Sequence, residues 1–400
     1  MTQTKKPKRK IIVSNIIILG FVSLFTDIGV EMVYPILPLY LATILGASAG
    51  VIGVIEGIAE SLASILKLFS GMIADKYNNK KKLAFIGYFS SFFSKIILIL
   101  FASLGGVLLS RGIERFGKGI RTAPRDALVA ESAEKGKLGK AYGLHKTFDL
   151  VGVSIGILLA YFLLSAENLT GFRNIFLLSL IPAFIGLMFM FFVKDGGQKV
   201  VSKKFEFKWK SLDKKLKLFL IFIFIFTLGN SSNAFILLRA YSSGFSIQDA
   251  LLLYFVFNIV ASVLSYPIGK LSDKVGRKYT LPAGYLLYGL VYFGIGLLSS
   301  RPAFWLLFAM YGVYAALTVG GERALLADIA PPHLKSSVIG LHSAIVGIGL
   351  LPASIIAGIL WDSISPAAPF VFGGILAVFA SVSIFIVLNS KQKSNLMPVA

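Results

Sequence analysis

The sequence predicts an all-α membrane protein, with twelve transmembrane helices in two six-helix bundles and both termini cytoplasmic. Three observations carry this. The chain is 56% apolar and 15% charged, with 34 Phe in 400 residues, whereas a soluble domain is about 45–50% apolar and about 25% charged. Apolar windows of about 20 residues, enough to cross a ~30 Å hydrocarbon core, recur from end to end. Lys and Arg gather in every second connector, the asymmetry that marks cytoplasmic loops.

The windows fall at 12–42, 49–74, 83–103, 105–128, 145–165, 173–193, 217–240, 247–270, 280–299, 303–328, 338–360 and 367–389. None alternates apolar and polar residues as the strands of a membrane barrel do. The first lacks a small-residue cleavage site and is too long for the apolar core of a signal peptide, so it reads as a retained span. The basic segments are the tail through Lys10, Lys76–Lys82, Lys135–Lys146, Lys194–Lys217, Lys270–Lys278, Lys335 and Lys391–Lys393; the connectors between them hold only Arg173 and Arg301. The net charge of +21 is therefore a topological signal of a multi-pass plasma-membrane protein, not a nucleic-acid footprint. The expected partners are the lipid bilayer and a small-molecule substrate, with a monomer as the working unit.

Several function classes drop out. Without cysteine there is no disulfide, thiol chemistry or Cys-metal site. The three histidines, His145, His333 and His342, lie toward the predicted cytoplasmic side, and neither H-E-x-x-H nor G-x-S-x-G occurs, so no enzyme, metal or cofactor is expected. A channel would normally present a selectivity loop or a charged ring from several subunits; it and a membrane-embedded enzyme stay as remote alternatives.

The segment Lys194–Lys217 is the longest polar passage and divides the windows six and six, giving a first bundle at 1–193, a basic linker at 194–217 and a second bundle at 218–400. The halves align. Ala127–His145 matches Ala324–His342 at constant offset, which sets Glu131 on Asp328, Gly143 on Gly340 and His145 on His342. Gly71–Lys76 matches Gly269–Lys274, and Gly46 and Ser48 match Gly244 and Ser246. Parallel six-span repeats mark carriers whose halves rock about a central site.

The stretch GKLSDKVGRK, Gly269–Lys278, between spans eight and nine, with its degenerate copy GMIADKYNNKKK between spans two and three, resembles the loop signature of the major facilitator superfamily. Within that superfamily RFGKGIRTAPRDAL on span four resembles a poorly characterised prokaryotic group. The resemblance implies secondary active transport by alternating access, with the proton gradient as energy source. Proton-coupled efflux of a drug or metabolite is the expected mode; a proton symporter or facilitator for uptake of an organic anion or other metabolite is the alternative. Drug–proton antiporters of the family tend to carry G-x-x-x-G-P-x-x-G-G on span five. GVSIGILLAY, Gly152–Tyr161, keeps the two glycines without the proline.

The signature has a physical reading as a cytoplasmic gate. Gly71 and Gly269 would let helices approach closely. Asp75 and Asp273 would face the positive amino end of a helix from the other half, with Arg277 pairing acids nearby and Asp149 joining from span five. In the first copy Asn78 and Asn79 stand where Gly and Arg are expected, which removes a cation from that latch.

Ionisable residues inside spans mark pathways. Asp27, Glu31, Tyr34 and Pro38 share a face of span one; Glu56, Glu60 and Lys67 share one of span two; Arg111, Arg115 and Lys118 share one of span four, with Glu114 at its edge. Similar depths predict Asp27 with Arg115 and Glu31 with Arg111, Glu60 being an alternative acid. A carboxyl that alternately meets and leaves an arginine can load and release a proton. Lys95 reads as structural. The second half reads as holding only Arg239, snorkelling outward, and otherwise neutral groups for substrate: Asn230, Asn233, Asn258, Tyr311 and Tyr314. The element YPILP, Tyr34–Pro38, can bend span one.

Overall fold

The computed structural model describes residues 9–77, 79–133, 137–194, 212–330 and 335–390; for 9–14, 68, 71–77, 319, 327 and 335–337 only the backbone is described. The protein is all-α across these residues. The first half runs α1 (Arg9–Glu31), α2 (Leu37–Thr43), α3 (Ala49–Tyr77), α4 (Lys80–Leu100), α5 (Leu104–Glu131), α6 (Leu138–Leu163), α7 (Leu169–Leu178) and α8 (Leu180–Phe192). The second runs α9 (Lys214–Gly229), α10 (Ala234–Ser242), α11 (Ile247–Val275), α12 (Arg277–Leu297), α13 (Arg301–Ile329), α14 (Lys335–Ser363) and α15 (Ala368–Asn389). Among the described residues ten helical stretches are long and apolar enough to cross a membrane, with α7–α8 and α9–α10 each counting as one. Neither α1 nor α5 is among them. The 28-residue α5 has the length but carries Arg111, Glu114, Arg115, Lys118 and Arg121 along it.

Polar caps start the helices where the sequence turns. The side chain of Ser103 accepts from Gly106 N at the head of α5, that of Asn168 from Gly171 N at the head of α7, and that of Ser246 from Asp249 N at the head of α11. Two long helices are interrupted. The element YPILP stops α1 at Glu31, and the chain restarts as α2 with Pro38 in its first turn. The stretch Asn230–Asn233 separates α9 from α10; sequence reading took it for part of one continuous span. The two breaks occupy matching places in the repeat, and discontinuous helices of this kind expose backbone where solutes bind in carriers.

Each half packs on itself: α1 on α6 and α8, α5 on α3 and α4, then α9 on α14 and α15, α13 on α11 and α12, and α12 on α15. The halves meet where α3 lies on α14, α6 on α11 and α2 on α10. Small residues bring α3 and α14 together, since a Cβ on Gly358 would come within 2.6 Å of Gly50 Cα and one on Gly57 within 3.1 Å of the Leu351 carbonyl.

The repeat is visible in backbone detail. Gly46 and Gly244 hold φ of +63° and +87°, the left-handed region that glycine enters without strain. Helix α4 begins at Lys80 and α12 at Arg277, and each first residue reaches the acid of its own half, Lys80 to Glu131 and Arg277 to Asp328. This corrects the expectation of a missing cation in the first copy. Counted from the matched Lys76 and Lys274, α4 begins one residue later than α12, so Lys80 and not Asn79 takes the place of Arg277.

Candidate functional site

Three clusters of polar side chains lie within the bundle. In the first, α3 and α5 are joined by a ladder of ion pairs. Arg111 grips Glu56 with two parallel bonds, Nε to Oε1 at 2.8 Å and Nη2 to Oε2 at 2.7 Å, and its Nη1 donates to Glu114 at 2.9 Å. Arg115 Nη2 lies 2.6 Å from Glu60 and its Nε 3.2 Å from Glu114. Glu56, Arg111, Glu114 and Arg115 are all buried, and paired donors and acceptors are what makes burial of such charges tolerable. The Tyr34 ring lies under both guanidinium groups, at 5.0 and 5.3 Å, and its other neighbour is Tyr254 of the second half at 6.1 Å. Ser232 of the second half donates to Glu56 at 3.3 Å.

This arrangement corrects the predicted pairing. Arg111 and Arg115 are held by Glu56, Glu60 and Glu114, not by Glu31 and Asp27. The reason is helix packing: α5 lies on α3, while α1 turns its acids toward α6. A Cβ on Gly152 would come within 3.2 Å of Asp27 Cβ, and one on Gly156 within 2.9 Å of Glu31 Cβ. Among the described residues Asp27 and Glu31 form no ion pair, and Glu31 Oε2 is buried without a hydrogen bond. Lys95, read as structural, is buried and lines a small void with Tyr34, Arg111 and Glu114.

The second cluster is aromatic. Tyr285, Tyr288 and Tyr292 share a buried face of α12, facing Phe226 of α9 and Tyr311 and Tyr314 of α13. Tyr288 and Tyr292 stack at 4.0 Å. The hydroxyls meet the predicted asparagines, with Tyr311 donating to Asn233 Oδ1 at 3.0 Å and Tyr288 OH lying 3.2 Å from Asn230 Oδ1. Asn258 stays apart and donates to the Tyr254 carbonyl of its own helix. The tyrosines of α12 escaped sequence reading, although their spacing places them on one helical face.

The third cluster was also missed. Glu322 and Arg323 lie inside the predicted tenth span, so the second half does carry membrane charges besides Arg239. Glu322 accepts from Tyr285 OH at 2.7 Å and lies 3.1 Å from His342 Nε2. Its repeat mate is Arg125, which pairs with Asp126, and His342 is the mate of His145, which sits 3.4 Å from Asp149 and 3.2 Å from Ser23. Arg239 does not reach outward; it donates to the carbonyls of Ile295 and Gly296, the last turn of α12, at 3.0 Å each. Between α3, α9, α13 and α14 a cavity of ≈ 270 Å³ is lined by Lys67, Asn230, Tyr314, Glu322, Arg323 and His342 among others.

The two ends of the seam between the halves differ. At one end Asp362, in the last turn of α14, accepts from Ala49 N and Gly50 N at the head of α3, at 3.1 and 2.8 Å. Glu167, beyond the end of α6, accepts from Ile247 N at the head of α11 at 2.9 Å. Each half thus supplies an acid to a helix amino terminus of the other, where free N–H groups and the helix dipole favour it. At the opposite end the ion pairs among the described residues stay within one half: Arg277 binds Asp273 at 2.7 Å and also Asp328, and Asp149 pairs with His145 and Lys146. The expected contact of Asp273 with the other half is therefore not the one it makes. Gly269 is no close-approach site either, since a Cβ there meets open space; Tyr266 and Leu271 beside it are exposed. The surroundings of Gly71 and the side chain of Asp75 lie outside what is described.

The chain resembles transporters over most of its length. It is 37% identical to an uncharacterised MFS-type transporter of Methanocaldococcus jannaschii over 92% of this chain and 93% of that protein. The fold matches a nucleoside transporter, NupG, with a TM-score of 0.77 at 13% identity, covering 94% of this chain and 99% of that one. It also matches a D-xylose-proton symporter with a TM-score of 0.73 at 15% identity, covering 94% and 97%. The expected efflux mode is corrected by the same findings. Similarity to the quinolone resistance protein NorA of Staphylococcus aureus, at 28% identity, covers only 38% of this chain and 39% of that protein, while a symporter matches over nearly all of it. The Major Facilitator Superfamily model matches residues 19–246 and 218–398, and with that the chain belongs to this superfamily of secondary transporters, which are carriers and not enzymes.

Proposed function

We propose that the protein is an uptake carrier, a proton symporter or facilitator, moving an organic anion or other small metabolite across the plasma membrane. The observation that carries this reading is the unequal seam. One end is tied shut by acids crossing between halves, while a cavity lined by α3 of one half and α9, α13 and α14 of the other lies along it. A carrier working by alternating access passes through such a state. In this reading α1–α2 and α5 join the ten apolar stretches as twelve spans, six to a half. The basic loops put both termini and the Asp273 end in the cytoplasm. Residues 194–217 are the linker, most of which lies outside the described residues. Asp149, Asp273 and Arg277 belong to the cytoplasmic gate. Asp27 and Glu31 are the coupling acids, because every other acid of the first cluster is held by an arginine. Tyr34, Asn230, Asn233, Tyr311 and Tyr314 border the solute path.

The test is solute counterflow in proteoliposomes with a panel of labelled metabolites. A symporter accumulates its solute when the outside is acidic, and a facilitator equilibrates it without accumulation. Accumulation only when the lumen is acidic would overturn the uptake reading. Orientation is tested in whole cells with an impermeant thiol reagent. Asn168→Cys and Ser242→Cys should label from outside, and Lys82→Cys and Lys146→Cys should not.

A further inference from the structure

We propose that the cavity between α3, α9, α13 and α14 is an anion site, and that the transported solute is a small organic anion held between Lys67 and Arg323. The proposal rests on the carrier reading above and deepens it by naming the substrate class and two residues that select it.

The argument is a charge inventory. The acid in the lining, Glu322, has partners in His342 and the Tyr285 hydroxyl, and Asp126 on α5 is engaged by Arg125 at 2.8 Å. Lys67 and Arg323 line the same cavity, and neither forms an ion pair among the described residues. The lining therefore carries cations in excess of the acids available to them, in surroundings where charge is costly unless answered. An anion answers it. Lys67 comes from the first half and Arg323 from the second, so one bound anion touches both halves and relieves the repulsion between them. Phe226 and Tyr314 give the cavity an aromatic wall, and Asn230 adds an amide. An ion with an organic body fits such a lining better than a bare inorganic one.

The absence of native cysteine allows a direct test. Ser64→Cys and Ser343→Cys each place one thiol on the cavity wall. Their rates with a negatively charged sulfonate and a positively charged trimethylammonium methanethiosulfonate are compared, each relative to free cysteine in solution. The anionic reagent should be favoured about tenfold, and Lys67→Gln or Arg323→Gln should each lower that ratio about three- to fivefold. Lys67→Arg should restore it, and Asn168→Cys at the far end should not respond. Within a set of acetate, succinate, citrate, glycerol phosphate and inorganic phosphate, at least one organic anion should slow the reaction at both positions where glucose and choline do not. A ratio at or below one, a ratio unmoved in the double variant, thiols unreactive to both reagents, or protection by no organic anion of the set would each overturn the proposal. Protection by phosphate alone would reduce it to an inorganic-anion site and overturn the organic assignment. None of these readouts requires transport, so counterflow that fails for every solute would sink the carrier reading separately.

Discussion

The two halves share a backbone plan and differ in what they bury. In the first, α3 and α5 are joined by the ladder of Glu56, Arg111, Glu114, Arg115 and Glu60. In the second, the interior among α9, α12 and α13 is filled by tyrosines whose hydroxyls bond to asparagines and a glutamate. Helix starts, helix breaks and the sites of the loop ion pairs recur at matched positions. The repeat thus preserves where the chain turns, because turns and caps depend on local residues, while the interior follows whichever partners each half supplies. The halves should fail differently when cut.

The largest contrast lies in the ladder itself. Arg111→Met leaves Glu56 buried without its arginine and Glu114 with Arg115 alone, and should cost about 3–5 kcal/mol, read as thermal unfolding in detergent. Glu56→Gln added to it should recover part of that loss. Tyr288→Phe in the second half removes one neutral hydrogen bond and should cost about 1 kcal/mol. Equal losses would erase the distinction between the two interiors.

The proposed coupling acids sharpen it further. Asp27→Asn and Glu31→Gln should abolish accumulation driven by a pH difference and leave solute exchange intact. If each variant still accumulates solute, α1 is not the coupling helix.

The caps at the Asp362 end come next. Asp362→Asn weakens one cap, worth about 1 kcal/mol, and should raise labelling of Ser231→Cys behind that end about fivefold. Glu167→Gln should do the same from the other half. The smallest effect is expected at Arg277, whose pair is partly exposed; Arg277→Gln should cost under about 1 kcal/mol. Its buried mate makes Lys80→Gln several times more costly.

Much of this was legible in the sequence, for physical reasons that also set the limits. Span length, loop charge and the matching Gly46 and Gly244 follow from local rules, so the membrane class and the repeat could be read directly. That Arg111 and Arg115 meet carboxylates could be read from depth and helical face. Which carboxylates they meet could not, because Glu31 and Glu56 lie at similar depths on different helices and only packing chooses between them. Glu322 and Arg323 were readable as charges inside an apolar window and were passed over. The tyrosines of α12 carry no charge to flag them, and their role emerges only when Asn230 and Asn233 arrive at the break between α9 and α10.

The caps at the Asp362 end have a further consequence. In a two-fold dimer every contact occurs twice, because residue i of one copy meets residue j of the other and j meets i. Asp362 on the head of α3 and Glu167 on the head of α11 reproduce that isologous pattern inside a single polypeptide. Closure at this end is therefore held in duplicate. A substitution in either half can remove at most one of the two fastenings, and full release requires both halves to let go together.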